Sequence, residues 1–201
     1  AITFDDTTFK GQKWNISAGI DPLVLAGATG FTPEMRNEVW ARVAELYAPF
    51  NINVIVGPQS DKVMRKTSPD DETYGALAVV TDAPSTVVQA PDGLAGIAWM
   101  NGLGSGYLEG ALVFASTYAK APDQVKVRAI AETIAHEVGH NFALAHHGFT
   151  VSQTEKDEYY TPEAGLWGPV MGISDYTPVS QWSDGNYAHA TNPVQGDLEV
   201  I

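Results

Sequence analysis

A chain of 201 residues with 44% hydrophobic and 17% charged residues is long enough to bury a core in one domain and too apolar to be disordered. Its net charge of −13, from 11 basic and 24 acidic residues, repels phosphate backbones and argues against nucleic acid as a partner. The absence of cysteine excludes disulfides, thiolate metal sites and an inhibitory thiol within the chain, and no apolar run reaches the roughly 18 residues of a membrane span.

Residues 32–49 read as a helix. Thr32 is a candidate N-cap, Pro33 suits the first helical position, and Glu34 and Glu38 sit near the positive end. Val39, Val43 and Leu46 fall at helical spacing on one face. Residues 51–56 alternate like a strand and stop at Gly57-Pro58. Three short apolar runs, 74–81, 94–100 and 111–116, have strand length. Before the third, Gly102-Leu103-Gly104-Ser105-Gly106 has G-x-G-x-G spacing with no helix directly after it, which suits a loop beside an edge strand better than a phosphate cradle. A long helix starts near Asp123, a candidate N-cap after Pro122, and runs into a histidine cluster. Residues 150–165 are polar and loop-like, and Ser183 caps a short helix through Ala190, closed by Asn192-Pro193.

The cluster reads His136-Glu137-Val138-Gly139-His140. On a helix His136 and His140 lie roughly 40° apart, one turn from each other, so both imidazoles can meet one ion. Val127, Ile130, Ile134, Val138 and Phe142 follow a different stripe, so one side of the helix packs in a core while the other lines a cleft. Glu137 can reach a zinc-bound water without ligating the ion. Zinc lowers the pKa of such a water towards about 7, and a carboxylate beside it can take the proton during attack on a peptide carbonyl and pass it to the leaving amine.

Catalytic zinc sites keep three protein ligands and one open position, and His146 is the first candidate for the third. On an unbroken helix it would lie about 9 Å further along the axis, so the chain must reverse near Ala143. In H-E-x-x-H-x-x-G-x-x-H a glycine makes that turn; an alanine there costs roughly 1–2 kcal/mol, which zinc binding, on the order of ten kcal/mol, can absorb. Glu155, Glu158 and Glu163 are alternative carboxylate ligands without a supporting motif. His147 reads as a surface residue or one beside the site rather than a ligand, and His189 as a surface helix residue. Calcium is a second candidate cation for so acidic a chain, although no Asp-x-Asp-x-Asp-Gly loop is present and solubility explains the charge more simply.

With these residues in place the chain resembles the metzincins and, within them, the reprolysin-like (adamalysin-type) bacterial peptidases. Pro169-Val170-Met171-Gly172 lies 25 residues after His146 and is similar to the Met-turn that places a methionine beneath the metal. By itself Met171 would be read as core packing. The tail from Val179 to Tyr187 and Gly196-Asp197-Leu198 resembles the same group. Two departures stand out: Ala143 replaces the usual glycine, and His147 stands where the adamalysin type commonly has aspartate. Tyr176 lies five residues after Met171, the wrong spacing for the tyrosine ligand of astacins.

The resemblance implies an α+β fold within one catalytic domain, residues 1–201. Its α/β-like upper lobe, to about residue 147, holds a twisted, mostly parallel sheet and two long helices. A smaller, irregular lower lobe, about 148–201, carries the Met-turn. A peptide would lie between the lobes and add a strand to the edge at residues 96–101, with Gly96, Ile97, Ala98 and Trp99 as substrate-binding residues. The floor of the pocket after the scissile bond would come from residues 171–182. Trp99, Trp167 and Trp182 would line the cleft or pack in the core. The expected protein is a secreted, monomeric bacterial zinc endopeptidase acting on protein or peptide, with Glu137 as base, His136, His140 and His146 as ligands, and no nucleic-acid or membrane partner. The alternatives are a catalytically silent zinc-bearing module that binds protein or glycan, and a structural domain whose histidines hold the fold.

Overall fold

The computed structural model describes residues 1–57, 64–152, 154–160, 165–174 and 177–201. Glu163 and Tyr176 therefore lie outside the described residues. A four-stranded sheet runs β1 (Ile2–Thr3), β4 (Ala78–Thr81), β6 (Ala111–Phe114) and β5 (Gly96–Ile97) in spatial order. The first three strands are parallel and β5 is an antiparallel edge. Such a sheet must be covered on both faces, and alternation along the strands provides for it. Ala78, Val80 and Val113 face a core shared with Val39 and Val43 of α2 (Pro33–Leu46) and Val127, Ile130 and Ile134 of α3 (Asp123–Asn141). Val79, Leu112 and Phe114 face the other way. They meet Trp14 of α1 (Lys13–Ala18) and the antiparallel pair β2 (Thr7–Phe9) and β3 (Leu23–Leu25).

Helix α2 begins where its capping chemistry predicts: Thr32 Oγ1 accepts from the Met35 amide and Pro33 is the first helical residue. Helix α3 begins one residue differently. Pro122 occupies the cap and Asp123 is already helical, paired with Lys126 at 3.6 Å.

The strands are shorter than the apolar runs, because each extends only as far as its partner. Run 74–81 contributes Ala78–Thr81, matched to Ala111–Phe114, and run 94–100 contributes Gly96–Ile97. The strand expected at 51–56 lies beside β1, with the Ile2 amide donating to the Ile55 carbonyl at 2.8 Å, but two-residue β1 offers it only an isolated bridge at Val56.

Beyond α3 the chain forms two small pairs, the hairpin β7 (Phe149–Thr150) with β8 (Lys156–Asp157), and parallel β9 (Trp167–Pro169) with β10 (Val179–Gln181). The hairpin replaces part of the loop expected at 150–165. The helix expected at 183–190 does not form. Gly185 and His189 have φ of 73° and 63°, values no helix accepts, and the Ser183 amide is taken by the Asp197 carboxylate. The final helix is instead α4 (Asp197–Val200). Among the described residues no helix is long and apolar enough to cross a membrane.

Candidate metal centre

Packing of the Val127, Ile130 and Ile134 stripe into the core turns the opposite side of α3 toward a cleft, and its last turns carry His136, Glu137 and His140. The helix then stops in a tight reversal. The Ala143 amide donates to the His140 carbonyl at 2.9 Å and the Leu144 amide to the Gly139 carbonyl at 3.1 Å, the paired bonds of a Schellman ending. Ala143 takes the left-handed position between them, with φ of 72°. The reversal expected at this alanine is present, and it returns His146 to the helix. The ligand nitrogens of His136, His140 and His146 all lie within 4.8 Å of one another.

Each ring is held from behind. His136 Nδ1 donates to the Val170 carbonyl at 2.8 Å, His140 Nδ1 to the Leu144 carbonyl at 2.7 Å, and His146 Nδ1 to Glu158 Oε1 at 2.7 Å. Carbonyl and carboxylate oxygens only accept, so the proton of each neutral ring resides on Nδ1 and the Nε2 lone pair faces inward. Nε2 of His140 stands 2.9 Å from Nε2 of His146. Two lone pairs at that separation repel one another unless they share a cation, so the donor set fits a metal ion. Three neutral imidazoles suit zinc among the common ions. Burial, with the neighbouring histidines, lowers His136 to about 3, and burial also lowers His140. Both rings are therefore neutral and ready to ligate at ordinary pH.

Glu137 is buried beside this group, and burial pushes its carboxyl up to about 8. Its Oε2 has no hydrogen-bond partner among the described residues. Edge strand β5 passes directly over it: a Cβ on Gly96 would lie 2.7 Å from Glu137 Oε1 and 2.6 Å from Thr133. Gly96, Glu137 and His136 share the wall of a cavity of about 280 Å³. Of the other residues expected to bind substrate, Ile97 and Trp99 pack their side chains into the rear core, Trp99 against Trp14 at 4.9 Å. Ala98 is not part of the cavity wall.

Met171 is fully buried beneath the helix, against Gly139, and the turn that carries it closes through the Gly172 amide on the Pro169 carbonyl at 2.9 Å. Trp182 is a core residue that donates Nε1 to the Leu46 carbonyl at 2.6 Å, and Trp167 packs on Tyr160 and Tyr187. Val170, Gly172, Ile173 and Ser174 line the cavity beside the histidines.

Of the two places expected for His147, the structure excludes the surface. His147 is 0% exposed, donates Nε2 to Asp197 Oδ1 at 2.9 Å and is not one of the three converging rings. Asp197 also accepts from the Ser183 amide and from Gln195. His189 is exposed, but in a turn rather than a helix.

Glu158, weighed as a ligand, orients His146 instead. Glu155 is exposed and outside the histidine group. Tyr159, which the sequence did not single out, lays its ring 4.4 Å from His146 and is pushed up to about 12 by burial, Glu158 and Glu137. No pattern within the polar stretch marks either residue; the hairpin β7–β8 brings them to the site. Among the described residues the three histidines are the cluster able to hold a metal, and no carboxylate group suited to calcium joins them.

The family model for Metallo-peptidase family M12B Reprolysin-like matches residues 55–147, a little under half of the 201 residues. His136, Glu137, His140 and His146 all fall within the match. The chain resembles the reprolysin-like metallopeptidases. Among solved structures, the crystal structure of archaemetzincin from Methanopyrus kandleri aligns with 13% identity and a TM-score of 0.45, over 88% of this chain and 83% of that one. Comparison with curated protein sequences finds no match. The reprolysin-like segment ends at His147, so the turn at Met171 and the tie from His147 to Asp197 rest on the geometry above.

Proposed function

We propose that the protein is a zinc endopeptidase that hydrolyses peptide bonds with Glu137 as general base. The observation that carries this reading is the convergence of three inward-facing Nε2 atoms within 4.8 Å, beside a buried carboxylate that ligates nothing. His136, His140 and His146 would hold the ion, which when bound supplies Lewis acidity and a water acidified towards about pKa 7. A cation among the rings also favours the charged form of Glu137, offsetting the burial that holds it near 8. Glu137 takes a proton from the attacking water and delivers it to the departing amide nitrogen. The exposed edge of β5 pairs with an extended substrate and sets its carbonyl beside the base. Tyr159 packs on His146 and closes one side of the cleft.

In this reading the peptide lies between an upper lobe reaching to about residue 147 and a lower lobe beyond it. Secretion as a monomer belongs to the same proposal; recovery from spent medium and a sedimentation mass of one chain test it. Glu137→Gln tests the chemistry. The variant should keep its zinc and lose cleavage of an unstructured protein substrate, whereas undiminished turnover would remove Glu137 from the mechanism. Zinc-loaded wild-type protein that cleaves nothing in a broad peptide library yet retains a peptide on a column would favour the binding-module alternative.

A further inference from the structure

The cavity beside His136 has an acidic end. Its walls are apolar where Leu94, Tyr118, Val170 and Ile173 meet, but Glu132 and Ser174 also line it. Glu132 lies four residues before His136 on α3, so the two stand on one face, about 6 Å apart along the axis. A substrate side chain that enters beside His136 and Glu137 and follows the helix must run about one turn before it meets the Glu132 carboxylate. That is the reach of a long, unbranched side chain.

Glu132 is largely withdrawn from water, its side chain 11% exposed. Among the described residues its hydrogen-bond donors are Ser180 to Oε1 at 2.6 Å and Ser174 to Oε2 at 2.9 Å. A carboxylate offers about four lone-pair sites, so acceptor capacity remains. Arg128 is ion-paired with Glu132 but takes none of these sites by a hydrogen bond. Its Nε stands 4.0 Å from Oε1, beyond hydrogen-bond distance, and its Nη2 donates to the Ser174 and Thr177 carbonyls. Arg128 lines a second cavity, whose wall Glu132 shares, and is absent from the wall of the His136 cavity. The carboxylates Glu132 and Glu137 line that wall, and no lysine or arginine does among the described residues.

We propose that Glu132 is a specificity-determining residue that selects a lysine or arginine side chain next to the scissile bond. The apolar walls take the aliphatic stem, as such stems commonly pack on apolar surface, and Glu132 accepts the charged tip. This rests on the peptidase reading and deepens it.

The first test is a peptide library digested with the zinc-loaded protein and read by mass spectrometry, in which lysine and arginine should be enriched at one position flanking the cut. Binding then separates recognition from turnover. In Glu137→Gln protein, a peptide with lysine at that position should bind about tenfold more tightly than its norleucine or acetyl-lysine counterpart, the scale of one charge-assisted hydrogen bond. Adding Glu132→Gln should bring the ratio to about one while zinc content is retained. The acetyl-lysine comparison needs no change at Glu132 and so stands even if that variant folds poorly. Cleavage without basic enrichment, or a lysine preference that survives Glu132→Gln, overturns the proposal and leaves the peptidase reading standing. Protein that neither holds zinc nor cleaves or binds any peptide overturns both.

Discussion

The sulfur of Met171 lies 2.5 Å from the point where a Cβ on residue 139 would stand, so Gly139 is the gap that admits the methionine beneath the metal helix. Leu144 closes the same space, 3.5 Å from that point. Gly139→Ala would gain helix propensity of up to about 1 kcal/mol but must displace a fully buried side chain, which costs about 1–3 kcal/mol. Because Met171 is 0% exposed and the Val170 carbonyl beside it holds His136, the clash should win. Urea unfolding should show a net loss, and zinc titration a weaker site; a variant as stable as the parent would contradict the packing.

Ala143 should behave in the opposite sense. Its φ of 72° strains an L residue by roughly 1–2 kcal/mol, and glycine relieves this while losing about 0.4–1 kcal/mol through the greater freedom of its unfolded chain. Ala143→Gly is therefore expected to stabilise the protein by up to about 1 kcal/mol, visible as a raised melting temperature with zinc affinity unchanged. A lowered melting temperature would show that the turn is not strained.

Glu158 holds the third histidine from an exposed hairpin, so its removal should affect metal more than fold. Glu158→Ala frees His146 Nδ1 from its 2.7 Å partner. Loss of such an orienting carboxylate lowers metal affinity by about 10- to 100-fold. Competition against a zinc chelator reads the affinity, and thermal unfolding of the metal-free protein should move little.

Stability of the chelator-treated protein should fall on both sides of a plateau. His136 is held at about 3 against its ordinary 6.5, so below pH 6.5 the unfolded chain binds the extra proton and stability drops as pH falls. Glu137 is held at about 8 against its ordinary 4.5, so above pH 4.5 the unfolded chain releases its proton first and stability drops as pH rises towards 8. Between 4.5 and 6.5 these slopes oppose one another. Thermal melts across this range should show Glu137→Gln removing the alkaline loss alone; an unchanged alkaline limb would contradict the assignment.

What could be read from the sequence was local. Thr32 and Pro33 announce the start of α2 through capping chemistry among neighbouring residues, and His136, Glu137 and His140 announce themselves through helical spacing. The turn at Ala143 was also legible, because His146 cannot reach the other two rings without it. What escaped depends on partners distant in the chain. Strand lengths are set by two- to four-residue partners rather than by the apolar runs themselves. Glu158 and Tyr159 reach the site on a hairpin whose polar residues have no strand-like alternation. His147 was left between the surface and a place beside the site because its acceptor, Asp197, lies 50 residues away. Ser183 resembled a helix cap and its Oγ does accept from the Gly185 amide at 3.0 Å, but the positive φ of Gly185, 73°, which residue type alone does not reveal, turns the chain away from a helix.

Partners this far along the chain give the protein an order of assembly. The residue next to the third ligand is locked by a carboxylate on α4, and His136 is oriented by the carbonyl of Val170. A ribosome that has just completed the helix with its first two histidines has therefore made a sequence motif but not a fastened site. The chain must still add Glu158 and Val170 before the third and first histidines gain the partners that orient them, and residue 197 before the adjoining His147 is tied down.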